Sequence, residues 1–211
     1  MNEIRYNTID HTWYDVAGED NVWIKWRFEI IKTSIKRIGI DFKKNYECLD
    51  IGCGNGWVVK KMAQLDTCTK AVGIDKSKNM VRKAKKTKIS AKEQYYTTDL
   101  ESCKFSTKFD IIFSMESLYY SVPMEPALAK VYKLLKKGGI FYCGTDFYKD
   151  NHLTTRWIKD MKIPMDLRSE SEWKKMFKAA GFNTRVKHVT DPKNKAKWKR
   201  EFGTLFLIGV K

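Results

Sequence analysis

The chain has 211 residues, of which 43% are apolar and 13% aromatic. That is enough for one domain with a sizeable core, and too apolar for a mainly disordered protein. The net charge is +16, from 41 Lys and Arg against 25 Asp and Glu, and no apolar run approaches the roughly 20 residues that span a bilayer.

Read in chain order, residues Met1 to Trp13 are polar and carry no signal-peptide core. Asn21 to Ile38 predicts an amphipathic helix: Trp23, Trp26, Ile30, Ile31, Ile35 and Ile38 recur at helical spacing behind an Asp20-Asn21 cap. A short strand ends near Asp50, a glycine-rich turn follows, and Trp57 to Leu65 predicts a second helix. Ala71 to Ile74 is a buried strand ending on Asp75, followed by a basic helix. Gln94 to Thr98 is a third strand ending on Asp99, and Phe109 to Met115 a fourth, apolar enough to be covered on both faces.

Pro126 to Lys137 predicts a helix stopped by Gly138-Gly139, and Ile140 to Gly144 a fifth strand. Ser169-Glu-Ser-Glu172 is a capping box that opens a further helix, ended by Gly181. Asn183 to Val189 and Leu205 to Val210 supply two last strands, with a basic loop between them. Strands alternating with helices predict a parallel α/β sheet. There is no internal repeat and no linker.

Five cysteines (Cys48, Cys53, Cys68, Cys103 and Cys143) form no Cys-x-x-Cys pair, and their odd number argues against a disulfide framework. The sequence reads as a reduced, cytoplasmic protein. The charge has two readings. Arg, the residue suited to bidentate phosphate recognition, supplies only 8 of the 41 cations. A lysine-rich solvated surface is therefore the first reading and a polyanionic partner the second. The densest basic run is Lys76 to Lys92, and a second runs from Lys187 to Arg200.

The stretch that carries chemistry is Glu47 to Gly56, Glu-Cys-Leu-Asp-Ile-Gly-Cys-Gly-Asn-Gly. A strand ends on an acid, and three glycines at alternate positions turn the backbone into a helix. Glycine lacks the Cβ that would keep a ligand from the main-chain N–H groups. A dinucleotide-binding loop places its third glycine three residues after the second, where this chain has Trp57; here the pattern is Gly52-x-Gly54-x-Gly56. Open α/β sheets bind ligands at the carboxyl ends of their strands, and the four relevant ends carry Asp50, Asp75, Asp99 and Met115.

In order and spacing, Glu47 to Gly144 resembles the core of the class I S-adenosylmethionine-dependent methyltransferases, and Leu49-Asp50 with the three glycines resembles their motif I. The resemblance implies an α/β, Rossmann-like fold: a seven-stranded, mostly parallel sheet with helices on both faces, an antiparallel last strand and an N-terminal helical lid. It implies one methyltransferase domain over residues 1–211. Residues 1–45 would form the lid, 46–145 the cofactor core, and 146–211 a substrate-side insertion with the C-terminal strands.

Carried over, Asp50, Gly52, Cys53, Gly54 and Gly56 would bind the methionine moiety of S-adenosylmethionine. Asp75, Lys76 and Met80 would hold the ribose and flank the adenine, with Asp99 and Leu100 at its edge and Met115 near the transferred methyl. Arg27, in Trp23-Ile-Lys-Trp-Arg27, is similar to the lid arginine that takes the cofactor carboxylate in ubiquinone-type enzymes. After the fourth strand, Ser114-Met-Glu-Ser-Leu-Tyr-Tyr120 lacks the Asn/Asp-Pro-Pro-aromatic motif of base-amino methyltransferases, and no Pro-Cys of a cytosine-C5 enzyme is present. It looks like the small-molecule branch, similar to type 11 and ubiquinone-biosynthesis methyltransferases.

The implied product is S-adenosylhomocysteine and the implied acceptor an O or N atom of a small molecule. Tyr119, Tyr120, Tyr148 and Trp157 are candidates for the acceptor pocket, with Tyr120 and His152 as catalytic candidates. In this branch holding the acceptor in line is itself a large part of catalysis. No His/Cys/Asp spacing suggests a metal site. Two rival functions are an RNA-modifying methyltransferase that uses the basic surface and a non-catalytic partner protein on the same fold. Oligomeric state is not readable from the sequence.

Overall fold

A computed structural model describes residues 32–33 and 42–211. The helix expected over Asn21 to Ile38, with Trp23, Trp26 and Arg27, lies outside the described residues apart from Lys32 and Thr33. Seven strands form one mixed sheet whose spatial order, by position in the chain, is third, second, first, fourth, fifth, seventh, sixth. The chain divides into two compact units, one running through Cys103 with Phe109–Ile111, the other comprising Lys104–Lys108 and Ile112–Lys211. Among the described residues no helix is long and apolar enough to cross a membrane.

The first unit is a parallel three-stranded layer of β1 (Tyr46–Ile51), β2 (Cys68–Asp75) and β3 (Glu93–Thr97). Helix α1 (Trp57–Ala63) connects the first two strands, and α2 (Lys78–Lys86) the second and third. Their inward residues Val58, Val59, Met62, Val81 and Ala84 close over Cys48, Leu49, Ala71, Val72 and Ile74, all at most 3% exposed. Helix α2 starts at Ser77, whose hydroxyl accepts the Met80 N–H. Strand β4 (Phe109–Met115) begins in this unit, and its Asp110 carboxylate accepts the Glu47 N–H at 2.8 Å.

The C-terminal strands of the second unit are antiparallel. Strand β7 (Thr204–Val210) lies between β5 (Leu135–Thr145) and β6 (Asn183–Val189) and pairs antiparallel with both. A 3-10 turn (Leu118–Tyr120), α3 (Glu125–Leu134), α4 (Trp157–Met161), α5 (Glu170–Ala179) and α6 (Lys197–Glu201) complete it. The capping box of α5 forms as expected, Ser169 and Glu172 each accepting the other's backbone N–H. The core is aromatic: Phe141 stacks on Phe177 at 5.4 Å, with Phe182 and Trp173 beside them.

Two expectations are corrected: the basic run Lys187 to Arg200 is not one loop but begins in β6 and ends in α6, and a helix boundary moves. Helix α3 ends at Leu134, and Gly138-Gly139 lie inside β5 rather than stopping a helix. Gly138 N–H donates to Lys211 O and Lys211 N–H to Gly139 O. The partner strand, remote in sequence, claims the backbone that local propensity gave to the helix.

Candidate active site

Where β1 ends, the Gly52 and Cys53 N–H groups both donate to the Ile74 carbonyl, at 2.8 and 3.0 Å, pinning the turn to the end of β2. Gly52, Gly54 and Gly56 then take φ values of 71°, 53° and 80°, which side chains rarely adopt. The glycines differ in purpose. A Cβ at Gly54 would meet nothing within 4 Å, so the backbone there faces open space. A Cβ at Gly56 would lie 2.6 Å from the Tyr95 ring, so this glycine permits tight packing under the turn. Gly73 is similar, its added Cβ falling 2.8 Å from Cys53 Sγ and 2.9 Å from Tyr95.

Asp75 holds the open side of the turn. Its Oδ2 accepts the Gly54 N–H at 2.8 Å and its Oδ1 the Ser77 N–H at 2.9 Å, so one carboxylate orients both the glycine turn and the start of α2. Asp50 is 3% exposed, and burial, together with the Asp75 charge, pushes its carboxyl up to about 8. Cys53 is buried beside it, and burial with the two acid charges raises its thiol.

Farther along the strand ends, Lys76 Nζ lies 3.4 Å from Asp99 Oδ2, and the Ser102 N–H donates to Asp99 Oδ1 at 2.7 Å. Burial alone would raise the Asp99 carboxyl, but the Ser102 hydrogen bonds and the Lys76 charge outweigh it and hold it below its ordinary value. Leu100 is buried and Met80 half-buried. Two acids kept close at a cost in burial and repulsion, under a stretch of open backbone, suit a cationic ligand. S-adenosylmethionine, with a sulfonium, an ammonium and one carboxylate, has that charge, and these residues fit it.

The remaining candidates lie in the second unit. Met115 packs on Gly144, where an added Cβ would come 2.7 Å from its Cε. Glu116 follows in the left-handed region (φ 55°); its N–H donates to Gly144 O at 2.9 Å and its Oε1 accepts the Asp146 N–H at 2.9 Å. Tyr119, Tyr120 and Trp157 fall into one aromatic row: Tyr120 on Tyr119 (4.5 Å), Tyr119 on Phe147 (5.2 Å), and Phe147 stacked on Trp157 (6.2 Å). The half-buried Tyr120 hydroxyl donates to Met161 Sδ at 3.6 Å. Tyr148 and His152 belong to another group: the Tyr148 hydroxyl donates to Phe202 O at 3.1 Å, and the exposed His152 sits edge-on to Phe202 at 4.8 Å. Arg27 lies outside the described residues.

Several residues at these strand ends were given no site role by the sequence. Tyr95, wedged beneath Gly56, donates to the fully buried Glu93 at 2.7 Å. Asp146 is a buried hub: Lys199 pairs with its Oδ2, Thr204 donates to its Oδ1 at 2.7 Å, and Asn151 and Thr154 donate to its carbonyl. Lys199 sits in a run that reads as a solvated basic loop, so no local signal marks it as buried.

Among curated proteins the chain is similar to a ubiquinone biosynthesis O-methyltransferase of Pelagibacter ubique, 32% identical over 154 residues, covering 67% of this chain and 62% of that protein. It is also similar to a sterol 24-C-methyltransferase of Clavispora lusitaniae, 29% identical over 128 residues, covering 56% of this chain and 34% of that protein. The chain thus spans less than two thirds of the length of either relative. Among solved structures it is similar to a chain of the complex between the Haloferax volcanii Trm112 methyltransferase activator and a putative methyltransferase. That likeness has a TM-score of 0.80 at 21% identity and covers 98% of this chain and 95% of the other, which shows the fold. The sequence pattern of the family described as "Methyltransferase domain" matches residues 42–202, through both units, and the chain belongs to that family, class I enzymes that draw their methyl group from S-adenosylmethionine.

Proposed function

We propose that this protein transfers the methyl group of S-adenosylmethionine to an oxygen or nitrogen atom of a small-molecule acceptor. The cofactor supplies an electrophilic methyl on a sulfonium and leaves as S-adenosylhomocysteine. The observation that carries the donor half is the Gly54 turn: backbone open to a ligand and held in place by the Asp75 carboxylate. Asp50 and Asp75 favour the cationic end, Asp75 and Lys76 the ribose, Met80, Asp99 and Leu100 the adenine, and Met115 the methyl. Arg27 is the candidate for the cofactor carboxylate.

The acceptor half rests on the half-buried Tyr120 and Trp157, backed by the buried Tyr119 and Phe147 of the same row. Such faces bury an apolar or cationic small molecule and exclude water, and aromatic faces attract an amine by about 0.5–2 kcal/mol. Tyr120 is the catalytic candidate in that row. His152 is the second, as a base reaching from its exposed loop, and Tyr148 is kept as a wall residue. The small-molecule reading also agrees with the ubiquinone O-methyltransferase relative, while the sterol 24-C relative makes carbon the competing acceptor atom.

The test is incubation with methyl-labelled S-adenosylmethionine and a fractionated cell extract. Label on O or N in the small-molecule pool supports the reading and yields the product for identification. Label on carbon, or label in RNA that nuclease releases, replaces it.

A partner of the Trm112 activator type is a second proposal, favoured by the near full-length likeness to a chain of that complex. Mixing the two purified proteins and measuring the mass of the complex by light scattering decides it. Two separate masses remove that partner.

A further inference from the structure

The charge of this chain is not spread evenly. Residues 76–92 hold eight Lys and Arg and no Asp or Glu, so half of the net +16 sits on a segment of 17 residues. A general lysine-rich composition would intersperse acids at the rate found elsewhere in the chain, and here there are none. On α2 the cations form a stripe. Lys78, Arg82, Lys85 and Lys86 recur at steps of three or four residues and are exposed, alongside the buried Val81 and Ala84.

Helix stability does not account for the stripe. Cations in the last turn complement the helix dipole, which explains Lys85 and Lys86. Lys76 and Lys78 stand at the N-terminal end, where the dipole disfavours positive charge, and the first turn carries no acid. Beside the helix, β3 is an edge strand of the sheet. Two of the three exposed large apolar side chains among the described residues lie at this edge: Ile89 in the turn before β3, 58% exposed, and Tyr96 on it, 46% exposed.

We infer that the α2 stripe and the β3 edge form a landing surface for single-stranded RNA. Clustered cations bind its phosphates with release of counterions, and an exposed tyrosine ring offers a base a stacking face. A single strand presents both phosphates and unstacked base faces, which a duplex does not. RNA held here need not be the methyl acceptor, so the small-molecule proposal above stands or falls separately.

The test is fluorescence-anisotropy titration of the whole protein with labelled oligouridylate over a series of salt concentrations. The quadruple variant Lys78→Gln, Arg82→Gln, Lys85→Gln, Lys86→Gln is compared with a control of equal charge loss elsewhere, Lys133→Gln, Lys136→Gln, Lys137→Gln, Lys178→Gln. Unchanged S-adenosylmethionine affinity and melting temperature report that each variant is folded. The stripe variant is expected to bind at least about tenfold more weakly. Its slope of log affinity against log salt should be shallower by about 3, since each lost phosphate contact on a single strand contributes about 0.7. Tyr96→Ala should weaken binding with the salt slope unchanged. Equal losses in the stripe and control variants would assign the binding to net charge alone and overturn the inference. So would no binding by the unaltered protein, or tighter binding of oligothymidylate or polyglutamate than of oligouridylate.

Discussion

The Asp75 carboxylate accepts the Gly54 N–H at 2.8 Å across 21 residues of sequence, and accepts Ser77 N–H through its other oxygen. A residue expected only to touch the ribose thus also fixes the turn. Asp75→Ala removes charge-assisted hydrogen bonds and leaves two backbone donors to be satisfied otherwise. Cofactor affinity should fall by on the order of 1–3 kcal/mol, and the melting temperature should fall with it. Calorimetric titration checks the first and a thermal scan the second. An unchanged affinity would remove Asp75 from the site.

Gly54 and Gly56 share a backbone conformation and should respond differently to the same methyl group. At Gly54 the added Cβ meets open space, so Gly54→Ala carries only the left-handed strain of about 1–2 kcal/mol. Its main effect should be on cofactor binding. At Gly56 the Cβ collides with Tyr95, whose hydroxyl is tied to Glu93 and whose ring has little room to turn. Gly56→Ala should therefore lose stability first. Denaturant midpoints for both variants, set beside their cofactor affinities, separate these outcomes; the same ranking in both assays would contradict the distinction.

Asp50 makes stability depend on pH in the direction opposite to most carboxylates. Its carboxyl, at about 4 in an unfolded chain, is pushed up to about 8 by burial and then by the Asp75 charge. Between those values the folded protein holds a proton that the unfolded chain has lost, so this group's contribution falls as pH rises. The melting temperature should decline from about pH 5 to about 8, and Asp50→Asn should flatten the decline. A cationic ligand favours the ionised carboxyl, so binding near neutrality should release protons. Calorimetry in buffers of different ionisation enthalpy measures that release, and none is expected from Asp50→Asn.

What could be read from the sequence followed from local constraints. The turn from Asp50 to Gly56 is legible because its acid, its glycines and the strand before them lie within a few residues, and only glycine takes those φ values readily. Strands Phe109–Met115 and Asn183–Val189 were legible to the residue, the first as an apolar run. What was not legible depends on partners far along the chain. The start of β5 is decided by Lys211, remote in sequence beyond β7, and Tyr95 acts under Gly56 through packing that no motif encodes. The aromatic candidates divide in the same way. Tyr119 and Tyr120 touch directly and Trp157 joins them through Phe147, while Tyr148 turns its hydroxyl to the Phe202 carbonyl.

Tyr120 gives the cleanest separation of chemistry from binding. Its hydroxyl donates to the Met161 thioether and hydrogen-bonds with the buried Tyr119, so removing it should lower the melting temperature modestly. Tyr120→Phe should leave cofactor affinity unchanged and lower turnover if the hydroxyl touches the acceptor. Equal turnover with the identified acceptor would make the ring a wall and nothing more.

Lys199 and Asp146 test the buried polar hub of the second unit. Both are at most 9% exposed, and Lys199, Thr204 and the Asn151 and Thr154 side chains satisfy Asp146 from several sides. Removing one member of a buried pair strands the other charge, at about 3–5 kcal/mol. Lys199→Met should therefore destabilise strongly. Asp146→Asn alone should also destabilise, but the double variant should recover part of the loss, because no unpaired charge remains and buried pairs often contribute little net stability. Chemical denaturation of the two single variants and the double variant closes the cycle. Additive losses would mean that the lysine and the aspartate act independently, and that Thr204 and the neighbouring donors, rather than the ion pair, hold the end of β5.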